Sequence, residues 1–281
     1  MAQIPHIISG LGEIAGRYDA LVCDVWGVLH NGVQPTWPAV EALRRFRAER
    51  GPVVLLTNAP RPPAGIVMQF EKIGVPPDCY DEIVTSGAAA RADLAGRAAQ
   101  GTYPIMHIGP ERDRGLYEGL DVALTGPEGA SLVLCSGLYD DEKETPEDYR
   151  AVFLDLKARG LPMICANPDV MVPRGDKLVY CGGALAKFYG ELGGEVLYYG
   201  KPHPPIYAMA LAAAGRPERA LVIGDGLETD IRGANAVGLD ALFVAQGLHA
   251  KELGSLTQGN LDRLFGGKGL VARTAIDVLA W

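Results

Sequence analysis

The sequence predicts an α/β fold of parallel sheets, with a core domain split along the chain and a second α/β domain inserted between its halves. Three observations carry this. From Leu21 onward, short apolar runs alternate with helix-like segments, the pattern of parallel strands joined by crossover helices. Polar residues suited to chemistry stand directly after apolar runs in two groups, one ending at Asn58 and one opening at Lys201. The long stretch between those groups is itself filled with strand and helix signals. The boundaries expected are 1–82 and 188–281 for the core and 83–187 for the insert.

Taken in order, Ala20-Leu21-Val22-Cys23 reads as a short buried strand that delivers Asp24 to its C-terminal tip, before a turn at Gly27. Pro38 to Arg50 places Val40, Leu43 and Phe46 on one helical face and stops at Gly51. Val53 to Leu56 is a strand, Pro63 to Ile73 a helix closed by Gly74, Ile83 to Thr85 a strand, and Ala88 to Ala99 an alanine-rich helix. In the middle, Ile105–Ile108 and Leu132–Cys135 are strands, and Thr145 caps a helix with Pro146 in its first turn that runs to Arg159. Leu161–Ala166 and Val196–Tyr199 are strands flanking a helix over Gly182–Leu192. Helices at Pro204–Ala214 and Thr229–Val237, with strands at Leu221–Ile223 and Ala241–Val244, complete the series.

The bulk numbers exclude several classes. With 281 residues, 48% hydrophobic and 21% charged, the chain is globular with room for a sizeable core. Its formal charge is −8 and no basic run exceeds Arg44-Arg45, which argues against a nucleic-acid partner. An anionic substrate would need local cations to offset that field. The five cysteines show no CxxC spacing, so reduced thiols are expected rather than disulfides or zinc. No leader-like segment and no run of 18 apolar residues is present, and a cytoplasmic protein with no membrane partner is the expectation. There is no GxSxG elbow and no complete GxGxxG fingerprint.

Parallel sheets bind ligands beyond the carboxyl ends of their strands. Asp24, Thr57 and Asp225 each stand at such an end, and Lys201 is expected to open a helix after Tyr198-Tyr199-Gly200. A carboxylate, a hydroxyl, an ammonium and an acidic pair describe a Mg²⁺-assisted phosphoryl-transfer site. Asp24 is the candidate nucleophile, since a carboxylate that attacks phosphorus splits one hard displacement into two. Asp24 and Asp225 offer the hard oxygens Mg²⁺ prefers, and Asp230 fits an outer position holding metal-bound water. Lys201 would offset charge on the attacking carboxylate and the phosphoryl group. The Thr57 hydroxyl and the backbone N–H groups of Trp26 and Asn58 would hold its oxygens.

These motifs carry a resemblance. Asp24-Val25-Trp26-Gly27-Val28, Leu56-Thr57-Asn58, Gly200-Lys201-Pro202 and Gly224-Asp225 with Thr229-Asp230 resemble the four motifs of the haloacid dehalogenase-like superfamily. Asn167-Pro168-Asp169, Gly182-Gly183 and Gly200-Lys201-Pro202, in that order, resemble its type IIA branch of 4-nitrophenylphosphatase- and phosphoglycolate phosphatase-like proteins. The resemblance implies a Rossmann-like core with a large inserted α/β cap and a Mg²⁺ cofactor. It further implies an aspartyl-phosphate intermediate, a small phosphorylated metabolite as substrate and a homodimer formed through the cap.

One position departs from the pattern. The family's phosphatases carry Asp two residues after the nucleophile, where its side chain moves protons and its backbone carbonyl binds the metal; here Trp26 stands there. Trp26 keeps the carbonyl, but an indole N–H is a donor only. Loss of a positioned acid/base costs on the order of 10²–10⁴ in rate. His30 and His203 lie near the motifs as substitutes, and Asn167, Asp169 and Lys187 could reach a substrate. Three readings follow: a weakened or redirected Mg²⁺-dependent phosphatase, a non-catalytic phosphometabolite-binding protein, and a related enzyme that uses Asp24 on a non-ester bond.

Overall fold

A computed structural model describes residues 4–174 and 177–281. Its strands in chain order are β1 (His6–Ile7), β2 (Ala20–Asp24), β3 (Val53–Thr57), β4 (Glu82–Thr85), β5 (Tyr103–Ile108), β6 (Val122–Leu124) and β7 (Leu132–Cys135). They continue as β8 (Met163–Cys165), β9 (Met171–Arg174), β10 (Lys177–Tyr180), β11 (Val196–Tyr198), β12 (Ala220–Gly224), β13 (Asp240–Val244) and β14 (Thr274–Ile276). The chain divides into two compact units. The first comprises the residues up to Thr57, Gly65–Val84 and everything from Lys201 on; the second comprises Asn58–Ala64 and Thr85–Gly200.

The first unit holds a seven-stranded sheet in the order β1-β14-β13-β12-β2-β3-β4, a Rossmann-like core. From β1 across to β3 every neighbouring pair is parallel. All residues of β2 and β12 are buried, as are the first four of β3, which explains why these strands read as unbroken apolar runs. Register does the positioning. Asp24 lies opposite Leu56 on β3, and Cys23 lies opposite Ile223 on β12. Thr57 and Asp225 therefore fall one step further along the two strands that flank Asp24. The helix Trp37–Glu49 buries Val40, Leu43 and Phe46, the face expected from the sequence.

The second unit is an α/β domain of its own. Its five strands run β11-β8-β7-β5-β6, all pairs parallel, and β9 and β10 form a separate antiparallel pair. Phe153, Leu156, Tyr189, Met163 and Leu185 are fully buried in one of its cores. The Tyr189 hydroxyl donates to the Leu161 carbonyl at 2.6 Å, which satisfies the one polar atom of a ring otherwise in apolar surroundings. Thr145 and Asp148 close a capping box at the start of a 3₁₀ turn, and the α-helix proper is Arg150–Ala158.

The insert's second boundary lies after Gly200, not after 187. The helix Gly182–Glu191 packs Leu185 and Tyr189 into the insert's core, and β11 pairs with β8, so neither can belong to the first unit. The first boundary falls between Val84 and Thr85, close to the expected 82/83, but Asn58–Ala64 also joins the insert. All five cysteines are buried. Among the described residues, no helix is long and apolar enough to cross a membrane.

Phe153 touches the rings of Tyr149, Phe188 and Tyr189 at centroid separations of 5.3–6.0 Å. Phe153→Ala should cost about 3–5 kcal/mol of stability through lost burial and a residual cavity, read as a lowered urea midpoint.

Candidate active site

Four sequence-predicted residues meet in the first unit. Asp24 ends β2, Asp225 follows β12 and Asp230 lies in the single turn that comes next; an oxygen from each of these buried carboxylates lies within 4.8 Å of the others. Lys201, also buried, donates from Nζ to Asp24 Oδ1 and to Asp230 Oδ1, the latter at 2.7 Å. Two of the acids have a further anchor. Asp225 Oδ2 accepts the Leu248 backbone N–H at 2.6 Å. Asp230 Oδ2 accepts the Gly226 N–H at 3.1 Å and the Thr229 hydroxyl at 3.2 Å.

The local chain is shaped to bring acids this close. Residues Leu227–Ile231 form one turn of π-helix, and the Gly226 carbonyl accepts from both Asp230 and Ile231. The buried Tyr207 hydroxyl donates towards the Thr229 and Asp230 carbonyls at 3.2 and 3.4 Å, covering groups that the wider turn exposes. Glycines give the carboxylates room. A Cβ at Gly27 would stand 2.1 Å from Asp225 Oδ2, and one at Gly224 would stand 2.2 Å from Asp230 Cγ.

Burial and mutual repulsion set the electrostatics. Burial, opposed by Lys201 and reinforced by Asp230 and Asp225, holds the Asp24 carboxyl well above the usual carboxylate range. Burial and the Asp230 charge push Asp225 up to about 6. Burial works against the Lys201 ammonium, but Asp230 and Asp24 win and hold it well above its ordinary value. Fully ionised, three carboxylates and one ammonium carry a double negative charge, which one divalent cation would cancel, and that repulsion is part of what raises Asp24 and Asp225. The donor set is all oxygen, the chemistry that suits Mg²⁺.

The other predicted residues fall out as follows. Thr57 is the last residue of β3, half-buried at the strand's C-terminal end. Asn58, next along the chain, belongs to the second unit, where its side chain donates to Asp169 Oδ1 at 2.8 Å. Asn167 accepts the Asp169 N–H at 3.2 Å, and Lys187 is exposed beside Glu191. Trp26 is half-exposed, its indole lying over Gly32. His30 is buried at 2% exposure, accepts the Gly32 N–H on Nδ1 at 2.9 Å and packs edge-on against Phe70. It is a fastener of the 26–35 turn. His203 precedes the helix Pro204–Ala213, and burial lowers its pKa.

Comparison with known proteins fits this geometry. A family model described as haloacid dehalogenase-like hydrolase matches residues 21–123, and a related hydrolase-like model matches 198–263. A solved structure of a haloacid dehalogenase-like hydrolase from Brucella suis is 49% identical, covers 86% of this chain and 94% of its own, and superposes with a TM-score of 0.78. The chain belongs to the haloacid dehalogenase-like hydrolase family. A D-glycerol 3-phosphate phosphatase of Mycobacterium tuberculosis is 29% identical over 249 residues, covering 85% of this chain and 66% of that protein. A phosphoserine phosphatase of Thermus thermophilus is 32% identical over 151 residues, 51% of this chain and 58% of that one. The chain thus spans two thirds or less of these two curated relatives. The glycerol phosphate phosphatase of M. tuberculosis solved with magnesium is 26% identical, covers 97% of this chain and 77% of its own, and gives a TM-score of 0.71.

Within this hydrolase fold, sequence reasoning missed the Gly247-Leu248 loop, Tyr207 and the π-turn. The loop had a signal: it follows β13, the neighbour of β12, at the same sheet end. Two outcomes follow. Gly27 has φ +88° with Asp225 against it, so Gly27→Ala should lose about 1–3 kcal/mol in denaturant unfolding. Burial lowers the His30 pKa to about 4. An unfolded histidine titrates near 6.5, so stability from neutral His30 is complete above about pH 6.5 and is lost as pH falls towards 4. A His30 ring proton titrating near 4 by NMR would confirm this; a midpoint near 6.5 would refute it.

Proposed function

We propose that this protein is a Mg²⁺-dependent hydrolase of a small phosphorylated metabolite, with Asp24 as the nucleophile. The observation that carries the proposal is the convergence of Asp24, Asp225 and Asp230 around Lys201. Asp24, the Trp26 backbone carbonyl and Asp225 are assigned to the ion, with Asp230 behind them. The outer role suits Asp230, whose two oxygens are taken by Lys201, Gly226 and Thr229. Bound there, Mg²⁺ supplies positive charge to the transferring phosphoryl oxygens.

The chain's own residues do the rest. Asp24 attacks phosphorus and forms an aspartyl-phosphate, which water then cleaves. Lys201 lowers the repulsion between the attacking carboxylate and an anionic substrate. The Thr57 hydroxyl and the Trp26 and Asn58 backbone N–H groups are assigned to the phosphoryl oxygens. Relatives named for glycerol 3-phosphate, phosphoserine and acid sugar phosphates, and a magnesium-bound neighbour, support the substrate class and the ion. Trp26 weakens or redirects the reaction. It also supports a second reading, a binding protein of this fold that holds phosphometabolites without turning them over.

A panel of phosphorylated metabolites with 4-nitrophenyl phosphate tests both. Wild type should release phosphate only with Mg²⁺, and both EDTA and Asp24→Asn should abolish release. Release that survives in Asp24→Asn would place the chemistry elsewhere, and ligand binding without any release would establish the binding protein.

A further inference from the structure

We infer that the substrates turned over are phosphates whose leaving oxygen departs without a proton, such as aryl or acyl phosphates, and that the Asp24 phosphoenzyme then accumulates. This rests on the proposed role of Asp24 and narrows it. The ground is what surrounds that carboxylate in the first unit. After Asp24 come Val25, Trp26, Gly27, Val28 and Leu29, none of which exchanges a proton near neutral pH. The Trp26 indole nitrogen lies 3.3 Å from where a Gly32 Cβ would stand, directed along the 26–35 turn. His30, the next ring in that turn, is buried and holds the Gly32 N–H.

The ionisable groups that act most strongly on Asp24 are Lys201, Asp230 and Asp225. All three are already hydrogen-bonded: Lys201 between two acids, Asp230 by Gly226 and Thr229 as well, Asp225 by Leu248. Beneath the strand tip, the buried Cys23 thiol donates to the Asp24 carbonyl at 3.2 Å. The first unit is therefore built to stabilise charge beside Asp24: Lys201 is committed to two acids, Asp230 to Lys201, Gly226 and Thr229, and Asp225 to the Leu248 N–H and the proposed ion, which leaves the side chain at 26 as the place where a proton carrier is missing.

The two chemical steps feel this differently. In the first, an Asp24 oxygen bonds to phosphorus, the bond from phosphorus to the leaving oxygen breaks, and the electron pair departs on that oxygen. A nitrophenolate or a carboxylate accepts that charge; an alkoxide does so poorly. In the second, water bonds to phosphorus, the electron pair of the Asp24–phosphorus bond returns to the carboxylate, and the water proton passes to the departing phosphate and solvent. Without an enzyme base this step is slowed on the order of 10²–10⁴-fold. Fast loading followed by slow discharge makes the phosphoenzyme the resting form.

Pre-steady-state release from 4-nitrophenyl phosphate with Mg²⁺ reads this directly. Wild type should give a burst approaching one nitrophenolate per site, and acid-quenched protein should carry one phosphoryl group on Asp24 by mass spectrometry. Acetyl phosphate should load the same residue, which separates a general tolerance of weakly basic leaving groups from a preference for aromatic ones. Glycerol phosphate should turn over at least about 10²-fold more slowly than either. Trp26→Asp should remove the burst and raise turnover of the alkyl ester by about 10²-fold or more. Linear release with no trapped adduct, in a protein whose turnover still needs Asp24, would overturn this inference and leave the proposed function standing. Equal turnover of alkyl and aryl esters would overturn it too, and turnover indifferent to Asp24→Asn would overturn both.

Discussion

The Lys201 ammonium, shared between Asp24 and Asp230, is the interaction on which the rest of the core unit depends. Burying carboxylates is expensive, and breaking a buried pair by removing one partner leaves an uncompensated charge worth several kcal/mol. Here three acids share one cation, so the fold carries a standing electrostatic cost at neutral pH. The apolar strands around it offset that cost. β2, β3 and β12 are buried along almost their whole length, and their parallel register is what delivers the acids to one end of the sheet. A slip of one residue in either pairing would turn each side chain to the opposite face.

Asp230 shows how finely the backbone is adapted to that cluster. An ordinary α-helical start after β12 would carry one residue fewer per turn. The π-turn widens the loop, and Tyr207 caps carbonyls of Thr229 and Asp230 from a neighbouring helix. Burial, together with the Asp230 charge, holds the Tyr207 phenol well above its ordinary pKa, so it remains a donor. The ring also rests where a side chain at Gly233 would otherwise stand, 2.1 Å from the tyrosine oxygen. Position 233 is small because the tyrosine that braces the acidic turn needs the space.

Most of the chemical centre was legible in the sequence because Asp24 and Asp225 each follow an apolar run, and a polar residue at the end of a buried strand has few places to go. Lys201 was legible for the same reason, following β11. Asp230 was legible only through its motif spacing after Asp225. What stayed hidden carries no residue-type signal. The anchor of Asp225 is a backbone N–H, and any residue at 248 would supply it. The edge strand β1 and its neighbour β14 are two and three residues long and exist only through pairing with each other and with β13. The second domain boundary was misplaced because the helix Gly182–Glu191 has the same composition as a core crossover helix; only its packing on Phe153 and Leu156 decides its membership. His30 looked like a spare acid/base and is a turn fastener, since burial can make any histidine an apolar ring with one hydrogen bond.

Trp26 separates two properties that a phosphoryl-transfer site ordinarily joins. Charge stabilisation here is made by groups that are buried, mutually bonded and wedged against glycine backbone, and none of those contacts involves the side chain at 26. The backbone at 26 is held independently, by the bridge to His30 and the Gly27 N–H bonded to the His30 carbonyl at 2.9 Å. Exchange of a carboxylate for an indole at this point therefore leaves the acidic cluster and the turn intact and acts only on what a side chain at 26 could exchange with substrate or water. A half-exposed indole over Gly32 gives the turn an apolar cover and nothing with which to carry a proton. On the function proposed for this site, charge would be bound by Asp24, Asp225, Asp230 and Lys201 and protons moved from position 26, so the first can persist unchanged while the second is rewritten.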